Sequence, residues 1–103
     1  MVNQEFIMGI IMHAGNAKSL TMKALQKAEE NELVESNKLV SEANEELNKA
    51  HKIQTNLIQA ESRGEQTELS LLMVHAQDHL MNAITVRDLA KYVIKLSEKL
   101  EAM

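Results

Sequence analysis

From Val40 to Ala60 apolar residues return every three or four positions: Val40, Ala43, Leu47, Ala50, Ile53, Leu57 and Ala60. A helix turns by about 100° per residue, so this spacing gathers all of them on one face of an α-helix. Ser41, Glu45, Asn48 and Lys52 fall opposite and form the polar face that solvent requires. The chain contains no proline, so nothing in it removes a helical backbone donor or collides with the preceding turn. Long helices are the expected outcome.

Two further blocks carry the same period. From about Gln4 to Ala28, the residues Ile7, Ile10, Ile11, Ala14, Ala17, Ala24, Leu25 and Ala28 share a face. The string EENEL then breaks the pattern, with Asn31 suited to a left-handed stop or a new cap. After the second block ESRGEQT interrupts again, and Gly64 there can take turn geometry that other residues resist. The third block runs from about Thr67 to the end. Its later part keeps one stripe, Val86, Ala90, Val93 and Leu100. Its earlier part is apolar over most of the circumference: Leu69, Leu71, Leu72, Met73, Val74, Ala76, Leu80, Met81, Ala83 and Ile84.

A helix apolar nearly all round is buried on more than one side. Two other helices cover only one side of it, so the excess requires another subunit. Short connections make neighbouring helices antiparallel. Phe6 and Tyr92 are the only aromatics, and this palette of Leu, Ile, Val, Met and Ala favours helix packing over sheets. The expected fold is all-α, one antiparallel three-helix bundle spanning residues 1–103 and associating with copies of itself.

The formal net charge of −4, with no basic run, speaks against a nucleic-acid footprint. The absence of cysteine excludes disulfides, zinc thiolates and a cysteine nucleophile within the chain. The opening MVNQEFIMGIIM carries Glu5 and lacks a basic lead, so it reads as an amphipathic helix start rather than a signal peptide. No stretch approaches the roughly 18 apolar residues of a membrane span. A cytoplasmic protein is expected.

The polar chemistry is concentrated in VHAQDHLMN, residues 74–82. With His75 set at zero on the wheel, Glu68 and Asn82 lie within about 20°, and His79 about 40° to one side. Asp78 lies about 60° to the other side, on the seam of Leu71, Val74, Met81 and Thr85. A carboxylate in an apolar seam is costly unless paired, protonated or bound to a metal.

Three readings compete for this stretch. The histidines are partly exposed and Asp78 finds a hydrogen bond; or His75 and His79, one turn apart, share a catalytic metal; or one imidazole is a nucleophile. The string echoes the inverted zinc-protease pattern H-x-x-E-H with Asp for Glu, yet a chain of this size offers no evident substrate cleft. Imidazole ordinarily titrates near 6.5, leaving neutral nucleophile at pH 7 that can carry a covalent intermediate. His13, at the edge of the first stripe, and His51, beside the second, read as packing or solvated-face residues. The seven methionines read as core filler.

HAGNAKSL, KAHKIQTNLI and LLMVHAQDHLMN together resemble the lactose/cellobiose-type IIA proteins of the bacterial phosphoenolpyruvate sugar phosphotransferase system, in order and across essentially the whole chain. The resemblance implies a three-helix antiparallel bundle that assembles as a homotrimer. It implies a phosphotransferase component, a cytoplasmic carrier that takes a phosphoryl group from phospho-HPr and passes it to a cysteine of IIB. The IIC membrane permease is served only indirectly, with no direct contact to the sugar.

Carried over by motif, the phosphohistidine is His75. The metal-binding aspartate is Asp78, meeting its copies on the trimer axis around a divalent cation such as magnesium. Gln77 and His79 take supporting roles. The HAQDHLM and IQTNLI strings are closer to cellobiose and diacetylchitobiose members than to lactose ones. The alternative is a non-catalytic helical scaffold or regulatory trimer that keeps the fold without the phosphate.

Overall fold

Two residues with positive φ divide the chain where the apolar period lapses. Asn31 has φ 62° and Gly64 has φ 91°. Each closes the preceding helix in the same way. The amide of Glu32 donates to the Lys27 carbonyl (2.9 Å) and that of Asn31 to Ala28 (3.1 Å); Glu65 donates to Ala60 (3.0 Å) and Gly64 to Glu61 (3.0 Å). These paired bonds satisfy carbonyls that the last turn would otherwise leave open.

In this computed structural model residues 4–103 are described, and residues 1–3, part of the expected amphipathic start, lie outside them. Three helices follow: α1 (Gln4–Glu29), α2 (Leu33–Ser62) and α3 (Leu71–Glu101). Asn31 is the left-handed stop. The residue before α2 is Glu32, whose side chain makes no cap. No strand occurs among the described residues.

The helices form a rod of 56 × 19 × 18 Å. Ser36 on α2 donates to the Ala24 carbonyl of α1 at 2.7 Å, and Glu46 of α2 pairs with His13 of α1, so these two helices run antiparallel. Asn37 meets Glu98, Asn44 meets Arg87 and Gln54 meets Gln77, which makes α2 and α3 antiparallel. Helix α1 packs closely on both neighbours, while α2 and α3 meet more sparingly.

The predicted faces are the buried ones. Ile7, Ile10, Ala14 and Ala17 of α1, Ala43, Leu47 and Ala50 of α2, and Met73, Ala76, Leu80 and Ala83 of α3 form the main core. A smaller cluster of Ala24, Ala28, Val40 and Ile94 holds the other end. The polar face expected for α2 is exposed at Ser41, Glu45, Asn48 and Lys52.

Two expectations for α3 are corrected. It begins at Leu71, not Thr67, because Ser70 caps it: φ −132°, ψ 163°, with the hydroxyl accepting from the Met73 amide at 3.1 Å. Glu68 therefore precedes the helix and does not belong to its polar strip. Nor does the late stripe hold as read. Val93 and Leu100 are exposed while Ile94 is buried. At about 100° per residue Val93 and Leu100 have drifted roughly 80–100° from the line of Ala83, and Ile94 only about 20°.

Away from the bundle, α3 carries a second apolar face. Leu71 (86% exposed), Val74, Met81, Leu89, Tyr92 and Leu96 all face solvent in the single chain. Asp78 is exposed on the same side.

Candidate functional site

The Ser70 cap starts α3 five residues before His75, so HAQDH occupies regular helix and its side chains take fixed angular positions. His75 is exposed and His79 half-buried. Their rings are nearly parallel, 12° apart in plane and 5.8 Å between centroids, within the range of offset-stacked pairs. His79 is also held from behind: its Nε2 lies against Gly15 of α1, where an added Cβ would come within 3.2 Å. Helices α1 and α3 run side by side in the same direction at this level. The site is thus one open imidazole backed by a second that is lodged against a glycine.

Asp78 has no hydrogen-bond or ion-pair partner among the described residues. Nor do any three His, Cys, Asp or Glu side chains among the described residues gather in one chain to hold a metal ion. Asp78 is the one carboxylate within the HAQDH stretch, and it points outward.

Gln77 lies elsewhere. Its amide oxygen accepts from Gln54 Nε2 at 2.6 Å, and its nitrogen lies 3.5 Å from Met73 Sδ. Within one chain it faces α2, about 160° around the helix from His75. Glu68 sits in the segment before the cap, and Asn82 remains exposed one turn beyond His79.

The remaining histidines are separate from this pair. His51 is exposed on α2. His13 stands 3.4 Å from Glu46, which also accepts from Asn16 Nδ2 at 2.8 Å and pairs with Lys49 at 3.2 Å. The Asn16 hydrogen bond, helped by Lys49 and His13 and opposed by burial, holds the Glu46 carboxyl below its ordinary value. At the α1–α2 turn, the hydrogen bond and charge of Glu32 raise the Lys27 ammonium above its ordinary value.

Sequence reasoning missed Gly15. Its signal was a glycine in the interior of a helical stripe, where alanine is intrinsically favoured. Such a glycine points to a close neighbour, but the sequence does not name it.

Fold and site define a class, an all-helical bundle that presents a paired imidazole on an open face. Residues 5–98 match the family described as PTS system, Lactose/Cellobiose specific IIA subunit. The lichenan-specific phosphotransferase enzyme IIA component of Bacillus subtilis is 52% identical over 97 residues, covering 94% of this chain and 88% of the relative. The crystal structure of the PTS cellobiose-specific enzyme IIA from Bacillus anthracis superposes with TM-score 0.94 at 48% identity, over 99% of this chain and 95% of that one. The IIA(Chitobiose) of Escherichia coli, solved in solution as a complex with HPr, has TM-score 0.82 at 36% identity, with 95% of each chain covered. The chain belongs to the lactose/cellobiose-specific IIA family of the phosphotransferase system. Its role is that of a phosphocarrier component of that system. Among the described residues no helix is long and apolar enough to cross a membrane.

Proposed function

We propose that His75 accepts a phosphoryl group from the phosphohistidine of HPr and passes it to a cysteine of a IIB component. The observation that carries this is the exposed His75 ring, set within HAQDHLM and backed by the parallel His79 ring. Donor and acceptor are both proteins, so the nucleophile must stand clear of its own bundle. In the first step the lone pair of neutral His75 Nε2 forms a P–N bond as the P–N bond to the donor imidazole breaks. In the second, the IIB thiolate forms a P–S bond and His75 leaves as neutral imidazole. In-line transfer of this kind depends on alignment and on stabilising the spread charge. His79 supports the aim of the ring, and Gln77 supports it at one remove by tying α3 to α2.

The working form in this reading is a homotrimer. The second apolar face of α3 leaves Leu71, Val74, Met81, Leu89, Tyr92 and Leu96 exposed along one side, the kind of apolar patch that marks an interface, and Asp78 lies within it. Three copies would bring three carboxylates together, whose mutual repulsion demands shared protons or a cation. An all-oxygen donor set suits a hard divalent cation such as magnesium, which would neutralise those charges. HPr as donor is supported by the E. coli relative solved with it. The relatives named for lichenan, cellobiose and chitobiose support a system taking up a β-linked disaccharide, with IIC as the membrane component.

The test uses phosphoenolpyruvate, enzyme I and HPr. The wild type should gain one acid-labile phosphoryl group per chain. His75→Gln should gain none while keeping its helical circular dichroism, and His79→Gln should retain some labelling. Labelled His75→Gln together with unlabelled His79→Gln would assign the nucleophile to the other histidine. A wild type that takes no phosphoryl group would be the non-catalytic scaffold.

A further inference from the structure

Two glycines lie inside α1, at positions 9 and 15. Neither has the positive φ that would demand glycine, and glycine in a helix interior is less stable there than alanine. Space is the remaining reason. At Gly9 an added Cβ would meet Ile53 Cδ1 of α2 at 3.0 Å, the far end of a flexible side chain. At Gly15 it would meet His79 Nε2 of α3 at 3.2 Å. Carbon and nitrogen are comfortable at about 3.5–4.0 Å, so the His79 ring would have to withdraw by a few tenths of an ångström. Because that ring lies parallel to the His75 ring at 5.8 Å, a shift of one alters its contact with the other.

We propose that Gly15 is a positioning residue for phosphoryl transfer: its missing side chain sets how deeply the His79 ring is seated and, through the paired rings, how His75 is aimed. This rests on the reading that His75 is the phosphoryl acceptor. Gly15 itself touches neither donor nor phosphate; it acts through His79. Misplacing a reacting group by 1 Å costs about 100-fold. Passed on to His75 in full, a shift of a few tenths of an ångström slows phosphorylation roughly four- to tenfold.

The experiment compares Gly15→Ala with Gly9→Ala, since both gain the same helix propensity. Single-turnover phosphorylation by phospho-HPr should slow four- to tenfold in Gly15→Ala and stay at the wild-type rate in Gly9→Ala. The slowing should fall on the transfer step at saturating phospho-HPr, not on the donor concentration needed for half-saturation. Imidazole ¹⁵N signals of His79 and their pH titration should move in Gly15→Ala and not in Gly9→Ala. On a His79→Ala background the added methyl has no ring to displace, so Gly15→Ala should cause no further slowing.

A Gly15→Ala protein phosphorylated at the wild-type rate would overturn the proposal. So would an equal penalty on the His79→Ala background, or a Gly15→Ala chain that no longer folds. A wild type that takes no phosphoryl group removes the carrier function, and this role with it. A labelled wild type beside an unaffected Gly15→Ala removes the positioning role alone.

Discussion

The 2.6 Å hydrogen bond between Gln54 and Gln77 gives the sharpest test of what the HAQDH motif does for the bundle as distinct from the chemistry. Both amides are half-buried, and they join the two helices that meet most sparingly. A neutral hydrogen bond contributes about 0.5–1.5 kcal/mol net, and stranding one partner adds part of the desolvation cost. Gln54→Ala and Gln77→Ala should therefore each destabilise by about 1–2 kcal/mol. The double variant should cost less than their sum, with a coupling of about 0.5–1.5 kcal/mol, because the bond can be lost only once.

For a domain near 100 residues each kcal/mol lowers Tm by about 4–8 °C. Denaturant unfolding of the four proteins at one fixed protein concentration measures the cycle, since association shifts apparent stability. Both single variants should still be phosphorylated by the HPr system. Coupling below about 0.3 kcal/mol, the scatter of independent sites, would refute the argument. Loss of phosphorylation in Gln77→Ala but not in Gln54→Ala would give Gln77 a role at the reacting centre beyond this bond.

Asp78→Leu should keep or strengthen the trimer, since exchanging clustered charge for apolar packing is often stabilising by about 1–4 kcal/mol; sedimentation with and without chelator reads it, and a monomeric variant would move Asp78 off the axis. Leu80→Ala, at a fully buried position, should cost about 2–5 kcal/mol, measured as a fall in the denaturant midpoint. The Glu46 carboxyl is held below its ordinary value in the folded chain, so its contribution is present above the ordinary value and is lost as pH falls through the depressed one. Glu46→Gln should thus lower stability at neutral pH and flatten the acid limb of the pH–stability curve; an unchanged acid limb would count against the Asn16–Glu46–Lys49 cluster.

The helices were legible because their period was. Ile7, Ile10, Ala14 and Ala17 repeat at helical spacing and are buried as that spacing requires. Thr21 and Ser36 are fully buried too, and a search for apolar stripes passes over them. Their hydroxyls donate to the Ala17 and Ala24 carbonyls, which makes them tolerable in a core. Apolar Leu69 before the helix makes periodicity start α3 too early, whereas Ser70 decides the boundary by capping. Val93 and Leu100 leave the buried line because, at about 100° per residue, they already stand about 60° and 80° from Ala90, whereas Ile94 stands about 40° away on the buried side.

At the site, the angular neighbourhood of His75, His79 and Asp78 could be read from one helix, since it depends on rotation alone. The Gly15–His79 contact and the Gln54–Gln77 bond depend on how α1 and α2 are placed against α3. No single stripe encodes that placement.

Ser70 has a consequence beyond marking a boundary. Helix ends fray, and the ends open far more easily than the middle. His75 stands just past the first turn of α3, where unwinding of the end would first reach it. The hydrogen bond from the Met73 amide to the Ser70 hydroxyl opposes that opening by about 1 kcal/mol, roughly a fivefold change in the frayed population. Fraying would free the His75 ring from its stack on His79 and let it swing with the irregular chain before the cap. The serine hydroxyl, which touches neither histidine, thereby sets what fraction of the time the proposed nucleophile exists as an aimed group at all.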